Sequence, residues 1–311
     1  MAQRQLPLFP NMPLTPEDIS IHTALKHTLS VFQQHLLHEG KTEHTLKAFT
    51  SDLHLLAEHS GDDIAIGEYT TESLERFLDW LENGRGIPCS RKSYARRVTT
   101  LKVYFKWLFT IGALPHDPAL AIRQRSGQAP LSEILDDEEL SALLAYAYSL
   151  RISDKPDARP ELLLRLLAES GIKKSETERL APGDIQRIGK AEAIMIVKHA
   201  SARDIYKERR IPMSERWLDV YDEYLPQYHP QTALFTCTTR NLEYILADIA
   251  TGAGVEKKPS FEMLRWTCAV RDYMAGVEPD AIREKLGLSR ISWIETFAKI
   301  KRLAGEGDEA D

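Results

Sequence analysis

The sequence predicts a two-domain protein: an N-terminal all-α domain of four helices, then an α+β domain with a small antiparallel sheet. Three observations lead there. The chain has 311 residues, the length of two domains of ordinary size. Its first third repeats one pattern, an apolar stripe at helical spacing closed by a glycine. Its second half interrupts helical segments with two alternating stretches that read as a hairpin.

The elements follow in order. Residues 1–18 are Pro-rich and read as a flexible arm. A helix is expected over Ile19–His38, with Leu25, Leu29, Phe32 and Leu36 on one face and Gly40 as its stop. Thr42 caps a second helix through Leu46, Phe49, Leu53 and Leu56 to Gly61. Thr70 or Thr71 opens a third through Leu74, Phe77, Leu78 and Leu81, ending near Gly84. Ser90 opens a fourth through Val98, Leu101, Phe105 and Leu108, ending at Gly112. The first domain therefore spans residues 19–114, with 115–131 as a linker holding Pro118, Gly127 and Pro130. The second domain spans 132–304, and 305–311 form an acidic tail. Its helices are expected at Leu135–Leu150, Pro160–Glu169, Glu215–Tyr224, Asn241–Thr251, Phe261–Ala275, Asp280–Leu286 and Trp293–Leu303. Strands at Ala191–Lys198 and Arg203–Met213 make a hairpin bearing Lys198, Arg203, Lys207, Arg209 and Arg210.

Composition excludes several classes. Hydrophobic residues are 43% and charged residues 28%, so wholesale disorder is excluded. No apolar run nears the ~20 residues of a membrane span, and MAQRQLPLFP lacks the basic-then-apolar pattern of a signal peptide. Three distant cysteines, Cys89, Cys237 and Cys268, argue against a disulfide framework and for a reducing cytoplasm. Histidines crowd the first 60 residues, His35 and His38 at helical spacing, but without carboxylate or cysteine support no metal is expected.

The net charge of −6 argues, as a bulk number, against nucleic acid. Its distribution argues the other way. From Arg85 to Arg125 nine basic residues face one acidic residue, Asp117, a local +8 that leaves −14 elsewhere. A polyanion meets the local face, screened beyond roughly 8–10 Å, not the sum. Tyr94, Tyr104, Phe105 and Trp107 interleave with these cations, a pattern suited to a nucleic-acid surface; a solvated helical face is the competing reading.

At this point the segments form an ordered set. FQQHLLHEGKTEHTLKAFTSDL, TTESLERFLDWL and SRKSYARRVTTLKVYFKWLFTIGALPHDPA resemble the SAM-like core-binding domain of tyrosine recombinases, the phage integrases. ESGIKKSETERLAPGDI, IMIVKHASARDIYKERRIPM and PSFEMLRWTCAVRDYMAGVEPDAIREKLGLSRISWIETF resemble their catalytic domain, in the family's order over residues 20–303. The resemblance implies metal-free, cofactor-free strand transfer through a 3′-phosphotyrosine. That chemistry needs a nucleophile, cations on the phosphate oxygens and a proton donor for the leaving hydroxyl.

Carried over residue by residue, the resemblance is incomplete. Lys173 stands where the first arginine is expected and lacks its bidentate fork. Lys198 matches the hairpin lysine, with Lys207 as the fallback. Arg265 in EMLRW matches the second arginine, but Glu262 and Trp266 occupy the flanking histidine positions of that motif. Leu288 replaces the next histidine and Phe297 replaces the tyrosine. The last tyrosine in the chain is Tyr273 and the last histidine His229, so no C-terminal tyrosine exists however the last helix is shifted.

The expectation is a double-stranded DNA-binding protein that has lost strand cleavage. It would serve in the cytoplasm, on the nucleoid, as a repressor, architectural or maintenance factor of a mobile element. The matching contacts are Thr45 and Lys47 of helix two, Arg91, Lys92, Tyr94, Arg96, Arg97 and Lys102 of helix four, Arg123 and Arg125 of the linker, and hairpin residues Arg203 and Lys207. Two alternatives stay open. One is an active recombinase using Tyr273, Tyr244 or a partner's tyrosine; the other is a protein–protein module regulating such an enzyme. Arg265 is either a phosphate contact or a buried salt-bridge partner of Glu262 or Glu176. The terminal helix, with Trp293, Phe297 and Ile300 on one face, packs in cis or docks on a second copy.

Overall fold

A computed structural model describes residues 14–123, 131–189, 192–199, 205 and 207–306. The chain divides into two compact units, Met1–Ala129 and Pro130–Asp311.

The first unit holds α1 (Leu25–His38), α2 (Glu43–Ser60), α3 (Thr71–Asp79) and α4 (Arg91–Thr110). Thr42, Thr70 and Ser90 cap the last three, each hydroxyl accepting from the amide three residues on. The stripes named above converge on one core in which Leu36, Leu53, Leu56, Leu74, Phe105 and Leu108 are fully buried. Each such side chain contributes about 1.5–3 kcal/mol. Two expectations need correction. The first helix begins at Leu25, not Ile19, because its approach pairs with another segment: Leu25 N donates to Ile64 O, Ile66 N to Thr23 O, and Ala24 bridges Ala65. The expected linker does not start at Pro115 either, since Ala119 and Ile122 are buried in this core and Thr71 Oγ1 donates to Pro118 O at 2.8 Å.

The second unit runs α5 (Asp137–Arg151), α6 (Arg159–Ser170), α7 (Lys174–Arg179), β1 (Ile185–Arg187), β2 (Ala193–Val197), β3 (Arg209–Met213), α8 (Glu215–Tyr228), α9 (Thr239–Ala253), α10 (Phe261–Met274), α11 (Pro279–Lys285) and α12 (Arg290–Leu303). Helix α6 is the hub: Leu162, Leu163, Leu164, Leu166 and Leu167 are all buried, as in a helix surrounded on every side. The acidic run before α5 is a helix start. Asp136 accepts from Glu139 N and Glu139 returns to Asp136 N, and both favour the positive end of the helix dipole.

The sheet is antiparallel, in the order β1-β2-β3. Ala193 pairs with Met213, Met195 with Ile211 and Val197 with Arg209, so Arg209 stands in the same row as two buried apolar residues. The second strand begins at Arg209, not Arg203, which lies outside the described residues; Lys207 precedes the strand. Helix α7 and strand β1, six and three residues long, are too short to show periodicity and were not expected. The last helix opens at Arg290, capped by Ser289, one turn before Trp293. Helices α10, α11 and α12 share a satellite core of Ala269, Val270, Ile282, Leu286 and Ile300.

Candidate functional site

The family positions converge where the α6–α7 turn, α10 and α12 meet. Gly171 ends α6 at a φ of +57°. A Cβ there would lie 3.1 Å from Leu286 Cδ2 and 3.3 Å from Cys268 Sγ, so the position demands glycine. The turn delivers Lys173 to the start of α7. There Lys173, Glu262, Arg265, Trp266, Leu288 and Thr296 line one cavity of about 230 Å³. Five of the seven expected positions are thus together.

Arg265 is held by backbone. Its Nη1 donates to Gly171 O and its Nη2 to Leu286 O at 2.5 Å, pinning the α6 turn to the end of α11. The alternative reading of Arg265, a salt bridge to Glu262 or Glu176, is not found. Burial pushes the guanidinium down to about 10. Glu262 is exposed and accepts from Trp266 Nε1 at 3.0 Å. The Lys173 ammonium has no hydrogen-bond or ion-pair partner among the described residues; burial, then the Arg265 charge, lower its pKa below the ordinary lysine value.

Behind this cavity lies a group that sequence reading placed only as a hairpin cation. Arg209 grips Glu176 of α7 through both nitrogens, Nη1 to Oε1 at 3.0 Å and Nη2 to Oε2 at 2.8 Å, and its Nε donates to Lys285 O at 2.6 Å. Burial alone would raise the Glu176 carboxyl, but the Arg209 fork and charge hold it down at about 2. Gly287, at a φ of +61°, leaves the space: a Cβ would meet Arg209 Nη1 at 2.8 Å. His199 Nε2 lies 3.4 Å from Glu176 Oε1. The signal that could have found Arg209 was the alternation Arg209, Ile211, Met213, which puts the arginine on the buried face.

Other expected positions fall elsewhere. Lys198 is exposed and pairs with Asp184 at 2.5 Å, whose hydrogen bond raises its pKa; it lines a different cavity, with His199 and Asp184. Lys207 lines a third, between β3 and α11, and its charge is one of the smaller contributions lowering the Lys173 pKa. Phe297 does not line the cavity; its neighbour Thr296 does. Phe297 stacks on Trp293 at 5.1 Å, meets Tyr273 edge-on at 5.6 Å and lies under Lys301 at 5.0 Å. Tyr273 donates its hydroxyl to the Glu306 carboxylate, and Tyr244 stands exposed on α9, accepting from Arg240. Neither tyrosine lines the cavity.

In the first unit the expected interface changes character. Tyr94, Tyr104, Phe105 and Trp107 are all buried, so the aromatics between the cations are core and not a stacking surface. Arg96 Nη2 donates to the buried Asp52 at 2.8 Å and Arg97 Nε lies 3.5 Å from the same oxygen, its Nη1 reaching Cys89 Sγ. Thr100 Oγ1 donates to the other Asp52 oxygen at 2.9 Å. Burial, outweighing these partners, raises the Asp52 pKa. Arg97 therefore ties α4 to α2. Arg91, Lys92, Lys47 and Arg123 are exposed, while Thr45 and Lys102 are half-buried. Lys47 lies 3.6 Å from Glu43. Arg125 and Arg203 lie outside the described residues.

Among the described residues no helix is long and apolar enough to cross a membrane. Comparison with known proteins then places the fold. The model of the phage integrase family matches residues 133–302, more than half of the chain, and that of the phage integrase N-terminal SAM-like domain matches 29–111. The tyrosine recombinase XerD of Listeria innocua serovar 6a is 23% identical over 289 residues, covering 86% of this chain and 92% of its own length. The tyrosine recombinase XerC of Neisseria meningitidis serogroup C is 25% identical over 282 residues, covering 86% and 89%. A lambda integrase dimer bound to a COC′ core site aligns at a TM-score of 0.70 with 16% identity, over 93% of this chain and 80% of that chain. XerH bound to its difH substrate, in a pre-cleavage complex, aligns at 0.63 with 16% identity, over 85% and 80%. The expected two-part architecture and its family are both found: this chain belongs to the phage integrase family.

Proposed function

We propose that this protein binds double-stranded DNA and does not cut it by the family's covalent route. The observation that carries the reading is position 297: a phenylalanine, packed on Trp293 and Tyr273, in a chain with no tyrosine beyond Tyr273. Phenylalanine offers no oxygen to attack phosphorus. Loss of a general acid alone costs about 10²–10⁴-fold, and Glu262 adds repulsion toward phosphate. The surviving cations, Lys173 and Arg265, still favour a phosphate near the cavity. The exposed Arg91, Lys92, Lys47 and Arg123 supply backbone contacts in the first unit. Solved relatives of this fold include a dimer and a pre-cleavage complex on DNA. Exposed Ile291 and Ile294 on α12 suit docking of a second copy. The role follows as that of a nucleoid-associated repressor, architectural or maintenance factor of a mobile element.

The test is incubation with nicked duplexes carrying candidate sites, followed by a denaturing gel. A salt-sensitive band shift without a covalent adduct is the expected result. An adduct resistant to denaturation would restore the active-recombinase reading and point to Tyr273, Tyr244 or a partner's tyrosine.

A further inference from the structure

We infer that Lys173 is an amine nucleophile for aldehydes, and that on DNA its substrate is the ring-opened sugar of an abasic nucleotide. The inference rests on the DNA-binding reading above. Four features of the cavity carry it. Lys173 sits half-buried at the wall of a half-open cleft of about 230 Å³, without a hydrogen-bond or ion-pair partner among the described residues. Arg265 stands beside it with both terminal nitrogens committed to carbonyl oxygens and no direct salt bridge, a fixed positive neighbour only partly offset by the Glu176 and Glu262 charges. The one carboxylate at the cavity, Glu262, hydrogen-bonds the Trp266 indole and leaves the ammonium unpaired. The opposite wall is apolar, from Ala269, Leu286 and Leu288.

A desolvated lysine next to a fixed cation gives up its proton more readily than a free lysine, which exposes the amine lone pair. Burial, then the Arg265 charge, act on Lys173 in that direction, with smaller help from Lys207 and Arg209, and outweigh the opposing Glu176 charge. An intact nucleotide brings no aldehyde to such an amine. An abasic one does, and without a base its sugar leaves the stack at low cost.

The step balances without an oxidant. The Lys173 nitrogen forms a bond to the C1′ aldehyde carbon, and the carbinolamine loses water to give an iminium ion. Glu262 takes a proton from C2′; the C2′–H electron pair forms the C1′–C2′ enamine and then expels the 3′-oxygen as the 5′-phosphate of the downstream strand. Water hydrolyses the remaining unsaturated iminium, releasing the aldehyde and the lysine. Glu262 returns its proton to solvent.

The experiment uses the full-length protein, a duplex with one abasic site and sodium cyanoborohydride, which reduces the iminium to a stable amine. A covalent adduct on a denaturing gel is expected, with peptide mapping placing it on Lys173. Lys173→Met should lower adduct yield at least about tenfold, while Lys174→Ala, whose lysine is exposed and paired with Glu243, should leave it unchanged. Glu262→Gln should keep trapping and slow strand scission about 100-fold, within the range of a lost general base. Absence of an adduct from a preparation that shifts the intact duplex overturns the inference, as does an adduct mapped to another lysine. If the intact duplex is not shifted, the DNA reading has failed by itself. The amine is then read with 2-deoxyribose 5-phosphate and cyanoborohydride: preferential labelling of Lys173 over Lys174 upholds its reactivity, and equal labelling overturns it.

Discussion

Asp52 in the first unit and Glu176 in the second are both buried carboxylates that hold arginine, and the two behave in opposite ways. In the second unit Arg209 meets Glu176 with two parallel bonds, and the carboxyl is held at about 2 against a burial effect that alone would raise it. In the first unit Asp52 receives one short bond from Arg96, a longer approach from Arg97 and a hydroxyl from Thr100, and burial wins, raising its pKa. The arginine count is higher where the carboxylate is less stabilised. In this pair the fork geometry, not the number of cations, goes with the carboxyl that is held low.

The sign of each pH dependence follows. The folded-state pKa of Glu176 lies below its ordinary value of 4.5, so its contribution is complete above pH 4.5 and is lost as the pH falls toward about 2. A shift of that size corresponds to about 3 kcal/mol. Replacing Glu176 with Gln strands the Arg209 charge in the interior. We expect it to destabilise the protein by about 3 kcal/mol at pH 7, and by less as the pH is lowered, read from urea midpoints with hydrogen exchange assigning the loss to the second unit. Undiminished stability at pH 7 would break the contrast.

Asp52→Asn is the milder counterpart. The folded pKa of Asp52 lies above its ordinary 3.8, so its contribution is greatest below that value and declines as the pH rises through the raised one. The amide keeps an acceptor for Thr100 and Arg96, and a cost of about 1 kcal/mol is expected at pH 7. That cost should grow on acidification, where the Glu176→Gln cost shrinks. Parallel pH trends for the two variants would show that the shared feature, burial, outweighs the geometry.

The same networks explain what was and was not legible in the sequence. The apolar stripes ending at Gly61 and Gly112, with Thr42 and Ser90 ahead of them, specify α2 and α4 to within a residue, because caps and periodicity are local. That Arg265 and Lys173 would lie together in one cavity was legible through spacing within motifs. Arg209 was not, since its role depends on pairing across the sheet and on a carboxylate 33 residues earlier in the chain. The basic run misled in part for the converse reason. Charge counting cannot separate Arg91 and Lys92, which are exposed, from Arg97, whose partner Asp52 lies in another helix.

That separation can be measured. Arg91→Ala with Lys92→Ala should change stability by less than about 0.5 kcal/mol while weakening DNA binding and lowering the salt slope by about 2. Arg97→Ala should do the reverse, costing about 1–2 kcal/mol in folding with little change in salt slope, because its charge is spent on Asp52. A salt slope lowered as much by Arg97→Ala as by the double variant would return Arg97 to the interface.

The smallest expected effect belongs to the change that looks most consequential. Phe297→Tyr supplies the hydroxyl that the proposed function takes to be missing, yet the ring at 297 packs against Trp293 and Tyr273 under Lys301, and Thr296 is the residue of that helix that lines the cavity. A hydroxyl added there lengthens the side chain without turning it toward Arg265, whose terminal donors are already taken by Gly171 and Leu286. Glu262 and Leu288 still withhold the proton donors. Stability should move by less than about 0.5 kcal/mol, and no covalent adduct should form on a nicked duplex. An adduct from Phe297→Tyr alone would mean that α12 turns on DNA and that the missing oxygen was the single defect. Silence there, followed by cleavage only when Glu262→His and Leu288→His are added, would place the loss in the whole constellation, as the bond pattern of Arg265 requires.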